Sequence, residues 1–262
     1  MNGNEFLEQL IRDINTLYTH IHGQTPESAI KLEDLNPNHL VQIREKYEQI
    51  LNLVWAHDLV LVAQEYFEKR FAEIDPGLRK INDLAYYEIQ TLMTLVQERE
   101  PVKVVWDCIP ASSFTAGTNL IPEVDGEKEI KSDLDFNILV KGFANYQDRQ
   151  MLMLIEKVTE VLRTNGWQFV EIRTQGSDNE HYVFNKYIDG VEIEFKLRDK
   201  DAFDRTFGPV HKYLDDQMGV EKKMYITFIK YQLASNQNTK QTYTQFKKLY
   251  YEYAYAQSKV SF

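Results

Sequence analysis

The sequence predicts an α+β fold: a mixed β-sheet core over residues 101–199, flanked by an N-terminal helical region at 1–100 and a C-terminal helical region at 200–262. Three observations carry this. Apolar residues in the first hundred positions recur at helical spacing. Short segments in the middle of the chain are β-branched or alternate apolar with polar. Helical spacing then returns after Lys200.

The first region opens with Leu7, Leu10, Ile11, Ile14 and Leu17, the i, i+3, i+4, i+7 stripe of a helix with one buried side. Asn36-Pro37 supplies a capping side chain followed by a proline at the first helical position, and starts a periodic run through about Phe71. Asp75-Pro76 repeats the signal for a helix through Ala85, Ile89, Leu92 and Val96, ending near Glu98 before Pro101.

In the core, the β-branched segment 102–109 reads as a strand. Residues 133–140 alternate, with Leu134, Phe136, Ile138 and Val140 on one face and Asp133, Asp135, Asn137 and Leu139 on the other. Asn145 is placed to cap a helix that Asn165-Gly166 closes, and Trp167–Thr174 reads as a strand. Two further strand-like runs flank Asp189-Gly190, a pair suited to a two-residue hairpin turn because both positions tolerate positive φ. In the last region, Phe203 to Phe207 is expected to stop at Gly208-Pro209. A short helix over Val210–Met218 and longer ones over Val220–Ala234 and Gln241–Tyr255 follow.

Composition bounds the function classes. The 262 residues are 43% hydrophobic and 13% aromatic, enough for a sizeable core, and 30 Lys and Arg against 40 Asp and Glu leave a net charge of −10. That balance repels polyanions, so a long nucleic acid is not an expected partner. No apolar stretch approaches the ~20 residues of a membrane span, and residues 1–10 lack a secretory apolar core. No membrane association is expected, and a cytoplasmic location is. Cys108 is the single cysteine, which excludes an internal disulfide, and it reads as a packing residue. His20 and His22 read as helix-end residues, and the tyrosines from Tyr243 to Tyr255 as packing of the final helix.

The chemistry-bearing residues lie in the core. Asp133 and Asp135, at i and i+2 of a strand, project from one face with Cβ atoms roughly 6–7 Å apart. Two carboxylates so placed repel and resist ionisation unless a cation lies between them, and Mg²⁺ prefers such oxygen ligands. Glu192 and Glu194 share a face of the second hairpin strand, opposite Val191, Ile193 and Phe195. If that strand neighbours residues 133–140, three or four carboxylates converge on one patch. Glu192 and Glu194 with Lys196 and Arg198 also read as a solvent-exposed face with cross-strand ion pairs.

A small Gly-hydroxyl pair (Gly117-Thr118), a short insert, Ser132-Asp133-Leu134-Asp135-Phe136 on a strand, and the acidic strand Val191-Glu192-Ile193-Glu194-Phe195 together resemble the nucleotidyltransferase (DNA polymerase β-like) superfamily, over roughly residues 102–198. The resemblance implies a nucleotidyltransferase-like mixed sheet whose helical flanks shape the acceptor site. It implies that Asp133 and Asp135 bind Mg²⁺, with Glu194 as the third acid and Glu192 as its fallback. Gly117, Thr118 and Ser132 would approach the nucleotide phosphates. The implied activity is transfer of a nucleoside monophosphate from a nucleoside triphosphate, ATP being the first choice, to a hydroxyl of a small molecule or protein. Two alternatives stand beside it: a catalytically degenerate binding or interaction module of the same fold, and a metal-dependent glycosyltransferase. The second would need a βαβ half upstream of the Asp-x-Asp strand.

Overall fold

The computed structural model describes residues 3–23, 32–73, 75–99, 105–111, 113–118, 120, 123–124, 127–128, 134–141, 149–174 and 180–260. They form an α+β structure with a five-stranded mixed sheet and flanking helices. The chain divides into two units, one made of residues 1–74, 116–130 and 209–262, the other of 75–115 and 131–208. The grouping crosses the linear order of the segments: the fourth helix belongs with the sheet, and residues 116–130 belong with the helices.

The helical unit contains α1 (Gly3–His22), α2 (Pro37–Ala56), α3 (Val60–Glu73), α7 (Val220–Ala234) and α8 (Lys240–Ser258), with the short strands β2 (Glu123–Val124) and β3 (Glu127–Lys128). Asn36 caps α2 as its sequence predicts: its side chain accepts the His39 N–H at 2.9 Å, and Pro37 fills the position whose N–H needs no partner. The predicted run to Phe71 is two helices rather than one. Asp58 takes a left-handed φ of 55°, and Leu59 N–H returns to the Val54 carbonyl at 2.8 Å while Asp58 N–H reaches that of Trp55 at 2.9 Å. This is a Schellman stop with aspartate where glycine is usual, so the glycine signal is missing from the sequence. α2 packs on α8, α1 on both, and α3 on α7. At their centre Tyr47 stacks between Phe246 and Tyr253, at 5.2 and 4.7 Å. Tyr250, Tyr253 and Tyr255 are buried, the packing role expected of that helix. His22 is buried against Glu252, 3.0 Å away, a hydrogen-bonding partner 230 residues distant.

The sheet unit contains α4 (Asp75–Arg99), β1 (Trp106–Pro110), β4 (Leu134–Val140), α5 (Arg149–Thr164), β5 (Gln168–Thr174), β6 (Glu180–Ile188), β7 (Val191–Asp199) and the start of α6 (Lys200–Lys212). The strand order is β1-β4-β7-β6-β5, with β4 and β7 parallel and every other neighbour antiparallel. Asp189 and Gly190, at φ 50° and 81°, make the predicted two-residue turn between β6 and β7. One face is buried along β4 and β7, around Phe136, Phe184 and Phe195. Trp167 closes it, edge-on to Phe195 at 4.9 Å, and its indole N–H donates to Glu88 of α4 at 3.1 Å.

The predicted stop at Gly208-Pro209 does not occur: α6 runs through Pro209 to Lys212 and continues as a π-helical turn, Tyr213–Gln217. A residue before proline avoids the helix because its Cβ meets the proline ring, and Gly208 has no Cβ. The expected cap Asn145 and the start of the strand expected from Val102 lie outside the described residues.

Candidate functional site

The second face of the sheet carries the polar residues. Strand alternation and register place Asp107 of β1, Asp135 and Asn137 of β4, Glu192, Glu194, Lys196 and Arg198 of β7, and Asn185 of β6 on it. The strand predicted to carry Asp135 is thus the direct neighbour of the strand carrying the glutamates. Asp135 stands opposite Glu194 in the parallel register.

Between these two carboxylates lies a cation. The Lys196 ammonium is 3.2 Å from Asp135 Oδ1 and 3.0 Å from Glu194 Oε1. All three side chains are mostly shielded, at 23%, 15% and 22% exposure for Asp135, Glu194 and Lys196. Lys196 follows Glu194 by two residues on the same face, which lets its stem cross diagonally to β4. Glu192 has a different partner: Asn185 donates to its Oε1 at 2.8 Å. Arg198 is buried, donates to Asn137 Oδ1 at 3.3 Å, and lies over the rings of Phe203 and Phe207 at 5.3 and 4.7 Å. At the end of β7, Asp199 caps α6 by accepting the Ala202 N–H at 2.7 Å. Lys200 bridges Asp107 and Asp204, both at 3.2 Å, and these hydrogen bonds raise its pKa.

The donor chemistry suits a hard divalent cation. Asp135 and Glu194 present carboxylate oxygens on adjacent strands, donors of the kind a hard divalent cation takes, and here they share the Lys196 ammonium. Among the described residues, no group of three or more His, Cys, Asp or Glu is placed to hold a metal ion. Asp133, the predicted first ligand, and Ser132 lie outside the described residues.

Gly117 and Thr118 belong to the helical unit. Gly117 has φ +69°, a conformation that favours glycine, and its carbonyl accepts from Arg70 Nη1 at 2.8 Å. Thr118 is fully buried. Its carbonyl accepts from Lys230 Nζ at 2.8 Å, and its hydroxyl is 3.5 Å from that of Tyr250. These contacts pin the peptide among α3, α7 and α8. Sequence reasoning grouped Lys196 with the surface ion pairs, and only the register identifies Asp135 as its second partner.

Neither a protein-family model, nor a curated protein, nor a solved structure matches this chain. Among the described residues no helix is long and apolar enough to cross a membrane.

Proposed function

We propose that the chain is a Mg²⁺-dependent nucleotidyltransferase that moves a nucleoside monophosphate from a nucleoside triphosphate, ATP first, to a hydroxyl of a small molecule or protein. The observation that supports this best is the Asp135–Glu194 pair, in register on adjacent strands and sharing one cation. Asp133, Asp135 and Glu194, with Glu192 in reserve, would hold the metal, which would neutralise the triphosphate and the leaving pyrophosphate. A carboxylate of the cluster takes the proton of the acceptor hydroxyl. The hydroxyl oxygen forms a bond to the α-phosphorus as the bond from that phosphorus to the bridging oxygen breaks, and the electron pair departs on pyrophosphate. The sheet contributes position: both carboxylates stand on strands whose opposite face is fully packed, so the geometry is set before substrate arrives.

Pyrophosphate release with Mg²⁺ and each triphosphate, on wild type, Asp133→Ala and Asp135→Ala, tests the proposal. Release by wild type and its loss in both variants, with melting curves preserved, supports it. Equal release from the variants overturns it.

One observation favours the degenerate-module reading: a lysine permanently engaged by both acids would remove the need for a metal. That reading predicts triphosphate binding without turnover, or no binding at all. The glycosyltransferase alternative needs a βαβ half upstream of the Asp-x-Asp strand, and the elements described before Trp106 are helices.

A further inference from the structure

We propose that the groove between α3 and α7 is a docking site for a helix of a partner protein, apolar along one side and carrying lysine or arginine beside that stripe. The groove lies wholly within the helical unit and has a volume of about 670 Å³. Its apolar lining comes from Phe67 and Phe71 of α3 and from Val220 and Met224 of α7. Phe67 and Met224 are nearly buried, whereas Phe71 is 43% and Val220 70% exposed.

Shape gives the form of the occupant. The groove side of α3 continues from Ala72 through Glu68 and Gln64, at helical spacing, to the exposed Leu61. From Leu61 to Ala72 this stripe is roughly 17 Å long, about three helical turns. A pocket for a small molecule encloses most of its ligand. Walls as open as Phe71 and Val220 are instead covered by an element of comparable length, which lays its apolar side along the groove.

Charge gives its chemistry. Among the described residues of the lining, the ionisable ones are Glu68 and Glu221, and each is bonded to a neutral group. Gln64 Nε2 donates to Glu68 at 2.8 Å, and the Tyr225 hydroxyl donates to Glu221 at 2.8 Å. Three neighbouring cations are engaged by other acceptors. Arg70 is buried over the Phe67 and Phe71 rings and donates to the Gly117 carbonyl, Lys222 binds Glu48, and Lys223 donates to the Asp215 carbonyl. An apolar trough bordered by two carboxylates complements a helix with lysine or arginine beside its apolar stripe, and disfavours one bordered by acids.

The test uses the full chain and two dye-labelled amphipathic peptides of about 14 residues, long enough to span the stripe. One is built from leucine and lysine, the other from leucine and glutamate in the same pattern, and binding is read by fluorescence anisotropy. The leucine–lysine peptide is expected to bind and the leucine–glutamate peptide is not. Phe71→Ser and Val220→Ser are each expected to weaken binding roughly tenfold. The double variant Glu68→Gln, Glu221→Gln is expected to weaken it by a similar factor and to reduce its salt dependence. The double variant Glu156→Gln, Glu160→Gln makes the same change of charge on exposed positions of α5 in the sheet unit, and is expected to leave the affinity as it was. Should Phe71→Ser not fold, Val220→Ser, at the more exposed position, carries the same test. Equal weakening by the α5 variant would reduce the binding to attraction by net charge and overturn the proposal. Unchanged affinity in Val220→Ser, equal binding of the two peptides, or binding of neither would also overturn it.

Discussion

Asp135 and Glu194 are register partners on adjacent parallel strands, β4 and β7, and one ammonium, that of Lys196, contacts both. They are 59 positions apart in sequence, and a parallel pairing brings them together. Because each strand is buried on its other face, neither carboxylate can retreat from the other by tilting its strand. The Lys196 ammonium offsets part of the repulsion between them.

The two glutamates of β7 are not equivalent. Glu194 shares a cation with Asp135, whereas Glu192 is held by the neutral amide of Asn185. On the proposed function, Glu194→Gln is expected to lower pyrophosphate release by more than ~100-fold, since it removes one of the carboxylates that would hold the metal. Glu192→Gln is expected to stay within about tenfold of wild type, the effect of a substitution outside the first ligand set. Steady-state assays on the two variants read this ordering, and the reverse order would make Glu192 the third acid.

Glu88 ties α4 to the sheet through polar contacts. Its Oε1 accepts from Trp167 Nε1 at 3.1 Å and from Lys186 Nζ at 2.6 Å, while Lys186 also donates to the Asn165 carbonyl at 3.1 Å. Glu88→Ala leaves the indole N–H of a buried tryptophan without this acceptor and is expected to cost about 2 kcal/mol, read by urea denaturation. A loss below ~0.5 kcal/mol, the size of an ordinary surface change, would contradict the tie.

Asp58 ends α2 in a conformation that glycine adopts more easily. Asp58→Gly is expected to stabilise the protein by up to about 1 kcal/mol, and Asp58→Val, β-branched at positive φ, to destabilise it by at least ~1 kcal/mol. Melting temperatures of the pair should move in opposite directions.

Burial pushes the Cys108 thiol up to about 12. The reactive thiolate is therefore scarce at pH 7.5, and alkylation by iodoacetamide is expected to be slow and to rise with pH well past 9. Labelling at pH 7.5 as fast as that of an unfolded control would contradict a packed thiol.

The legible parts of the fold were those with local causes. Asn36-Pro37 caps and opens α2, Asp75-Pro76 opens α4, and Asp189-Gly190 makes its hairpin, because each signal acts on its own few residues. Two features escaped for equally local reasons: aspartate occupies the usual glycine place at Asp58, and Gly208 relieves the clash that normally makes proline end a helix. The pairing of β4 with β7 was readable only as a condition. Two alternating strands state which faces they bury and not which strand lies beside them. The role of Lys196 followed the same limit, since its partner Asp135 is reached only through that pairing. Glu88 left no signal, being one glutamate among many on a helix surface.

On the proposed function, the Asp135–Glu194 pair serves a metal-bound triphosphate. The most direct measurement is a thermal-shift panel of nucleoside triphosphates, with and without Mg²⁺, on wild type, Asp135→Ala and Glu194→Gln. A triphosphate at ~100 times its dissociation constant adds roughly 2.7 kcal/mol of stability, a readily visible shift. The expected result is a shift that requires Mg²⁺ and disappears in both variants. A shift that survives in Asp135→Ala, or no shift with any triphosphate, would contradict it.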